Sequence, residues 1–354
     1  MLAQDVVHDW ALMTALDGLI DDGARLKGRP REKNVTAPGL HATINWDTPE
    51  AYSSPGAPSN GSDYIRLRDG NGAYLQGGEI ESLSFKGATT LPPKPLQWSV
   101  APDPPGHAGN PALYSGTGDN RDETIVRRVS VPRRAGATLT FAARWNLEEA
   151  YDFGFVQVST DGGASYQSVG CTDTTDTNVA PDAIAPVVDN LPGITGDSAG
   201  WQGETCSLSA YAGQTVLLAF RAINDPANQG TDPSIAPGFW VDDVKVGGAV
   251  VSDGSTLAGW QSLTEARPTA VANFVVTIVS MRNDRRDSLT VKRLKLDSSF
   301  AIRGKSAVQR YVDKKSDFVA AIVTYDDPTE TVDQYAPYML TVNGVLQPGG
   351  ATSP

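Results

Sequence analysis

Oxygen-bearing side chains that could bind calcium gather at two places in the sequence. Calcium in proteins takes six to eight oxygen ligands, mostly carboxylates and carbonyls supplied by loops. One group lies in the stretch YSGTGDNRDETIVR, where a strand is predicted to begin, and the other lies in the strand GFWVDDVKV. The candidate ligands are Asp119, Asn120, Asp122, Glu123, Asp242 and Asp243. The pattern predicts a structural calcium site to which both groups contribute.

Strand alternation sharpens this prediction for Asp242. A period of two places Asp242 on the same face as Trp240, Val244 and Val246. A carboxylate on an apolar face must be paired or bound to a metal. First and last strands of sandwiches are often neighbours, so we expect 119–123 to lie close to 242–243. The alternative is a structural hydrogen-bond network to backbone amides, with the loop carboxylates simply solvated.

No complete catalytic motif occurs in the sequence. Zinc peptidases with an HExxH helix use two histidines one turn apart to bind zinc and a glutamate to activate water. The histidines here are His8, His41 and His107; none is followed by Glu, and no two are four positions apart. We therefore expect no zinc site, and peptidase activity only if a catalytic domain lies upstream or on another polypeptide.

Two weaker catalytic patterns occur in the sequence. Residues 196–200 read GDSAG, which has the letters of a GxSxG nucleophile elbow, but they lie in a polar loop and no histidine follows them. Glu148 or Glu149 with Asp152 or Asp243 could act as the acid and base of a glycoside hydrolase. Acidic residues are plentiful throughout this chain, so these positions alone do not indicate a matched pair. A hydrolase with an unrecognised carboxylate site remains an alternative.

The two cysteines predict a disulfide. Cys171 and Cys206 are 35 positions apart, and both sit in polar, loop-like surroundings, SVGCTDTT and GETCSLS. A pair of this kind in a Gly- and Pro-rich β protein favours a cross-link formed in an oxidising compartment. The alternative is two unrelated buried thiols.

Aromatic side chains suggest a possible ligand-binding surface. Trp and Tyr stack on sugars and on peptide groups. Trp201 follows Gly200 beside the long polar loop 172–200, and Tyr211 lies farther along the chain. These two are the candidate ligand-binding residues, whereas Trp145 and Trp240 fall on predicted strands and are expected in the core.

Composition limits the partners that the chain can have. Lys and Arg number 29 against 41 Asp and Glu, which gives a net charge of −12. An acidic chain without a clustered basic face argues against nucleic acid or an anionic membrane as partner. No run of 18 apolar residues predicts a membrane span. No secretory signal is visible either, so an exported protein would have lost its signal or carry it on a missing upstream part.

Periodicity predicts a mostly β chain. Apolar residues at three- and four-residue steps predict one amphipathic helix over 4–20. Alternating segments separated by Gly- and Asp-rich turns predict a jelly-roll β-sandwich and an additional small β-sandwich-like domain. The predicted divisions are a helix and linker (1–45), a β-rich segment packing with the main sandwich (46–111), the jelly roll (112–260), a small β domain (261–346) and a disordered tail (347–354).

Four ordered segments carry a family resemblance. They are YSGTGDNRDETIVR, LTFAARWNLEEAYDFGFVQVSTDGGASY, GWQGETCSLSAYAGQTVLLAFRAIND and GFWVDDVKV. In this order they resemble the jelly-roll, MAM-like module found after the catalytic domain of secreted bacterial metallopeptidases of the immune inhibitor A kind. The resemblance covers about 112–260. It implies an extracellular module that carries structural calcium.

The resemblance implies a non-catalytic accessory role beside an upstream peptidase domain. Such a part would support folding, dock substrate or retain the enzyme at a surface. Related modules also occur in adhesins, and fold does not fix function. A stand-alone extracellular module that binds carbohydrate or protein is therefore the second interpretation.

Overall fold

The computed structural model describes residues 3–16 and 55–351, apart from 135, 228–229, 283–284, 303–307, 309 and 331. Positions 17–20 of the predicted helix, the linker that follows and His41 lie outside the described residues. Three helices with fully described bounds are α1 (Ala3–Leu16), α2 (Ala185–Val188) and α3 (Leu263–Ala266).

The strands follow one another along most of the chain, as the mostly β prediction requires. In chain order they are β1 (Ser62–Arg66), β2 (Leu83–Gly87), β3 (Ser99–Ala101), β4 (Ala112–Tyr114), β5 (Asp122–Ser130), β6 (Thr138–Asn146), β7 (Phe153–Ser159), β8 (Gln167–Ser168), β9 (Gln202–Ser207), β10 (Thr215–Ile223), β11 (Gly238–Val246), β12 (Ala249–Ser252), β13 (Asn273–Arg282), β14 (Arg285–Arg293), β15 (Ala301–Ile302), β16 (Phe318–Asp326), β17 (Tyr338–Val342) and β18 (Val345–Leu346).

These elements form two compact units. One unit consists of residues 93–268, and the other consists of 1–92 together with 269–354. The first is called the central unit below, and the second is called the split unit because two distant stretches of sequence build it.

The central unit is an antiparallel β-sandwich. One sheet has the order β5-β10-β7-β8, and the other has the order β3-β4-β11-β6-β9, with β12 added beside β11. From β4 to β7 successive strands alternate between the two sheets, as do β9, β10 and β11, which is the jelly-roll arrangement. Each sheet contributes alternate side chains to the space between them.

Aromatic and aliphatic side chains fill the space between these two sheets. Phe220 of β10 lies 5.1 Å from Phe141 of β6, measured between ring centroids, and 5.7 Å from Trp260. Phe220 and Phe239 are both 0% exposed. Burial of this apolar surface, worth roughly 25 cal/mol per Å², supplies the main stabilisation of the unit.

The split unit is a second antiparallel sandwich. Its sheets have the orders β1-β16-β13-β14 and β15-β2-β17-β18. Strand β1 pairs with β16 along its whole length, and β2 pairs with β17. A buried aromatic cluster of Phe85, Phe274 and Tyr338 lies in its core, with ring centroids 5.6 to 6.4 Å apart.

This pairing changes the predicted domain boundaries. The β-rich segment 46–111 was expected to pack with the main sandwich, yet β1 and β2 form sheets with the strands of 269–354. From that segment, only residues 93–111, which include β3, belong to the central unit. Local alternation identifies a strand but not its partner, because the partner here lies more than 200 positions away.

The segment after β18 also differs from the disordered tail that the sequence predicts over 347–354. Residues 347–351 of the predicted disordered tail are ordered: Gln347 is 2% exposed, and its side chain donates to the carbonyl of Arg68. The Ala351 N–H donates to the carbonyl of Tyr338. These contacts hold the segment against β17.

Helix α1 packs on the outer face of the β1-β16-β13-β14 sheet. Ala11, Leu12 and Ala15 join an apolar cluster with Met281 and Phe318 of that sheet. The imidazole of His8 lies 2.6 Å from a carboxylate oxygen of Asp326. The opposite side of the helix exposes Val6 and Trp10, at 52% and 49%.

Candidate functional site

A β-bulge sets the position of Asp242 in strand β11. The pairing of β11 with β6 is regular up to Asp242, and its register shifts by one residue between Asp242 and Lys245. Asp243 takes the left-handed conformation, with φ of 51°. The extra residue turns Val244 and Val246 into the sandwich core while Asp242 stays outside it. The expectation that Asp242 shares a face with both valines was therefore wrong.

Asp242 is buried under the loop between β3 and β4. Its side chain accepts hydrogen bonds from the Asn110 amide (2.8 Å) and from the Asp243 N–H (2.6 Å). The Nδ1 atom of His107 is 4.0 Å away. Burial raises the pKa of the Asp242 carboxyl, and these contacts offset part of that rise. The surroundings match the hydrogen-bond network that was the alternative to calcium.

The group 119–123 lies at the start of β5. Both carboxylate oxygens of Asp122 lie 2.6 Å from the guanidinium of Arg221. Asn120 adopts φ of 53° and donates its N–H to the carbonyl of Asp225. Glu123 lies 4.0 Å from Arg121, and burial raises its pKa.

These two acidic groups belong to different sheets. Strand β5 pairs with β10, whereas β11 pairs with β4, β6 and β12. The first and last strands of the jelly roll, β4 and β11, are neighbours as expected. Residues 119–123 nevertheless do not adjoin 242–243 in a sheet, because they lead into β5, which belongs to the opposite sheet. Asp243 points outward and lies 3.5 Å from Lys245. Calcium binding by these six residues stays a prediction.

The predicted disulfide is confirmed. The sulfur atoms of Cys171 and Cys206 are bonded, and the two Cα atoms lie 4.1 Å apart. The cross-link joins the start of the long polar loop to β9. Cys206 is fully buried against the core of the central unit.

A buried carboxylate beside this disulfide was not identified in the sequence. Glu204 is 1% exposed, and its Oε2 accepts a hydrogen bond from the Asp173 N–H at 3.3 Å. Burial, followed by the neighbouring Asp173 carboxyl, raises the pKa of Glu204 to about 7. Alternation with Cys206 could have indicated an inward-facing Glu204, but nothing local indicates the approach of Asp173.

The candidate ligand-binding aromatics have structural contacts. The indole N–H of Trp201 donates to the carbonyl of Pro105 at 2.9 Å, and its ring lies 4.5 Å from that of His107. Tyr211 is half-buried and packs against the core of the central unit. Each ring is engaged by the protein on at least one side, and ligand binding by them stays a prediction.

Ser198 of the GDSAG segment and Asp152 of the proposed carboxylate pair are both hydrogen-bonded within the fold. The Ser198 hydroxyl bonds both the N–H and the C=O of Trp145 at 3.1 Å. Asp152 is fully buried and accepts from the Asn224 amide and from the Asp225 N–H. Burial, and the charge of Asp225, raise the pKa of Glu148.

Among the described residues, no three His, Cys, Asp or Glu side chains converge in a group that could hold a metal. In the same part of the chain, no helix is long and apolar enough to cross a membrane.

Comparison with known proteins finds a family model that matches the central unit. Residues 99–259 match the family model described as "Immune inhibitor A-like, MAM domain". The resemblance stated from the sequence is confirmed. The matched residues all lie within 93–268, so the family region coincides with the central sandwich.

Curated relatives are peptidases of greater length. Pre-pro-metalloprotease PrtV of Vibrio cholerae serotype O1, strain M66-2, is 32% identical over 139 residues. The protein of the same name from strain ATCC 39315 / El Tor Inaba N16961 matches equally. The match covers 39% of this chain and 13% of the relative, so this chain corresponds to a small fraction of those proteins.

Proposed function

We propose that this chain is a non-catalytic accessory part of a secreted metallopeptidase of the immune inhibitor A kind. The match of 99–259 to the MAM domain of that family carries the proposal. The absence of HExxH from the sequence agrees with a role apart from catalysis. The partner is a zinc peptidase domain, upstream in the same polypeptide or on a separate one.

The architecture fits a module that assists folding of a peptidase domain and docks against it. The polar clusters of the central unit hold its own loops: Asp122 pairs with Arg221, and Asp242 accepts from Asn110. The disulfide fits a protein that folds in an oxidising compartment outside the cytosol. A cross-linked sandwich of this kind supplies a rigid surface on which a peptidase domain can fold and dock.

A reconstitution experiment tests the proposal. The purified chain is mixed with an HExxH peptidase domain from the same genome, and binding and casein cleavage are measured. We expect the chain alone to bind no stoichiometric zinc and to show no chelator-sensitive cleavage. We expect it to bind the peptidase domain and to raise its folded yield or its thermal stability.

Two results would argue against the assignment, and a variant would locate the alternative binding site. Zinc-dependent cleavage by the chain alone would make it an enzyme. Failure to bind the peptidase domain, combined with selective binding on a glycan or protein array, would make it a stand-alone binding module. A Trp201→Ala variant that loses array binding would assign that binding to the aromatic surface near loop 102–111.

Calcium stabilisation, which the sequence predicted, is tested separately. We expect the melting temperature of the purified chain to rise with calcium relative to excess chelator, because a ligand that binds only the folded state stabilises it. If Asp119 and Asp243 are ligands, Asp119→Ala/Asp243→Ala removes the rise. A rise that persists in this double variant excludes these two as ligands, and no rise in the wild type excludes structural calcium.

A further inference from the structure

Strand β9 carries an inward-facing carboxylate in line with the disulfide. Glu204 and Cys206 are two positions apart and therefore lie on the same face of the strand. Both are buried, at 1% and 0% exposure. Thr205, which lies between them, and Gly203, which precedes Glu204, are exposed. Glu204 is thus buried beside a covalent cross-link.

Three contacts hold the loop 171–174 against β9. Cys171 is bonded to Cys206, the Thr205 N–H donates to the Thr172 hydroxyl at 3.1 Å, and the Asp173 N–H donates to Glu204. The Thr174 hydroxyl accepts a hydrogen bond from the Cys171 N–H and donates one to the Cys171 carbonyl, each at 3.0 Å. The Asp173 side chain is therefore held next to that of Glu204 and cannot move far from it.

This arrangement places two carboxyl groups side by side, and one of them, Glu204, is buried. The Oε1 atom of Glu204 is buried and has no hydrogen-bond partner among the described residues. The Asp173 carboxyl adjoins it, and only the backbone N–H groups of Asp173 and Thr172 oppose the resulting rise in the pKa of Glu204. Burial of an uncompensated carboxylate is strongly unfavourable. A second carboxylate beside it increases that cost.

We propose that Glu204 and Asp173 together bind a hard divalent cation at the disulfide end of loop 171–174. Calcium and magnesium both take carboxylate oxygens, and magnesium commonly binds through one or two carboxylates while keeping several waters. Asp173 is exposed, so water can reach the outer side of the ion and complete its coordination. The ion would compensate both charges and supply a partner for the buried Oε1 oxygen. None of the six calcium ligands predicted from the sequence takes part.

Titration calorimetry tests the site. The chain is freed of metal with chelator, exchanged into buffer and titrated with calcium chloride, and in parallel with magnesium chloride. We expect a binding event that Glu204→Gln and Asp173→Asn each weaken by about tenfold or more. The matched control Asp176→Asn, an exposed acid in the same loop, keeps wild-type affinity, as does Asp242→Asn.

Two results would overturn the proposal. One is binding of either ion that is unchanged in Asp173→Asn, since this exposed substitution leaves the fold intact. The other is no binding of either ion at pH 8, where Glu204 is mostly ionised. In that second case the charge is compensated only below about pH 7, by a proton on Glu204, and the stability of the wild type but not of Glu204→Gln falls as pH rises through 7.

Discussion

Asp152 shows at the residue scale how a buried acid can be tolerated without a counterion. Its side chain is 0% exposed and accepts from the Asp225 N–H at 2.8 Å and from the Asn224 amide at 3.0 Å. Burial outweighs these hydrogen bonds and raises the pKa of Asp152 to about 6. The folded protein therefore holds this proton more tightly than the unfolded chain, whose Asp pKa is near 3.8.

This shift predicts a dependence of stability on pH. Because the folded pKa is the higher one, the contribution of Asp152 to the free energy of unfolding is fully present below about pH 4. It falls as pH rises toward 6, by up to about 3 kcal/mol. Urea unfolding from pH 4 to 7 should show this decline in the wild type and less of it in Asp152→Asn. The exposed control Asp189→Asn should keep it, and an equal decline in Asp152→Asn would contradict the assignment.

At the scale of elements, the bulge of β11 depends on the backbone conformation of Asp243. A φ of 51° is unfavourable for most residues and especially for β-branched ones. Asp243→Gly should preserve stability, because Gly adopts this conformation freely. Asp243→Val should lose about 1–2 kcal/mol in chemical unfolding. Equal stability of the two variants would show that the bulge is not held by this residue.

Helix α1 depends on its packing against the sheet. An isolated helix of 14 residues is marginal in water, so its apolar face must stabilise it. Leu12 is 2% exposed within the α1 cluster, and Leu12→Ala should cost about 2–3 kcal/mol. Hydrogen exchange over 3–16 should then accelerate markedly. The control Val6→Ala, on the exposed side, should leave exchange unchanged; acceleration there too would mean that α1 is not held by this face.

The same elements show what sequence patterns can and cannot establish. Alternation correctly placed strands such as β7, β10 and β11, and the polar context of the cysteines correctly predicted their bond. Alternation misplaced Val244 and Val246 relative to Asp242, because one added residue at the bulge reverses the face of every residue after it. The proximity of Asp173 to Glu204 depends on a loop returning to β9, which no local pattern records.

At the scale of the whole molecule, the division into two units predicts which fragments fold. A chain of residues 93–268 contains both sheets of the central unit and its disulfide, and should unfold cooperatively. A chain of residues 261–354 lacks β1 and β2, which pair with β16 and β17, and should fail to fold alone. Adding residues 55–92 as a separate peptide should restore structure. Circular dichroism and thermal melts distinguish these outcomes, and a folded 261–354 would contradict the pairing.

The split unit also sets an order of events during synthesis on the ribosome. Strands β1 and β2 emerge first, yet β16 and β17 follow more than 230 positions later. At about 5–20 residues per second, the early strands wait on the order of 10–50 seconds for their partners. The central unit completes its own sequence during that interval. The nascent chain therefore carries two unpaired strands ahead of a central segment whose disulfide has yet to form, and we expect its need for a chaperone to be greatest in that period.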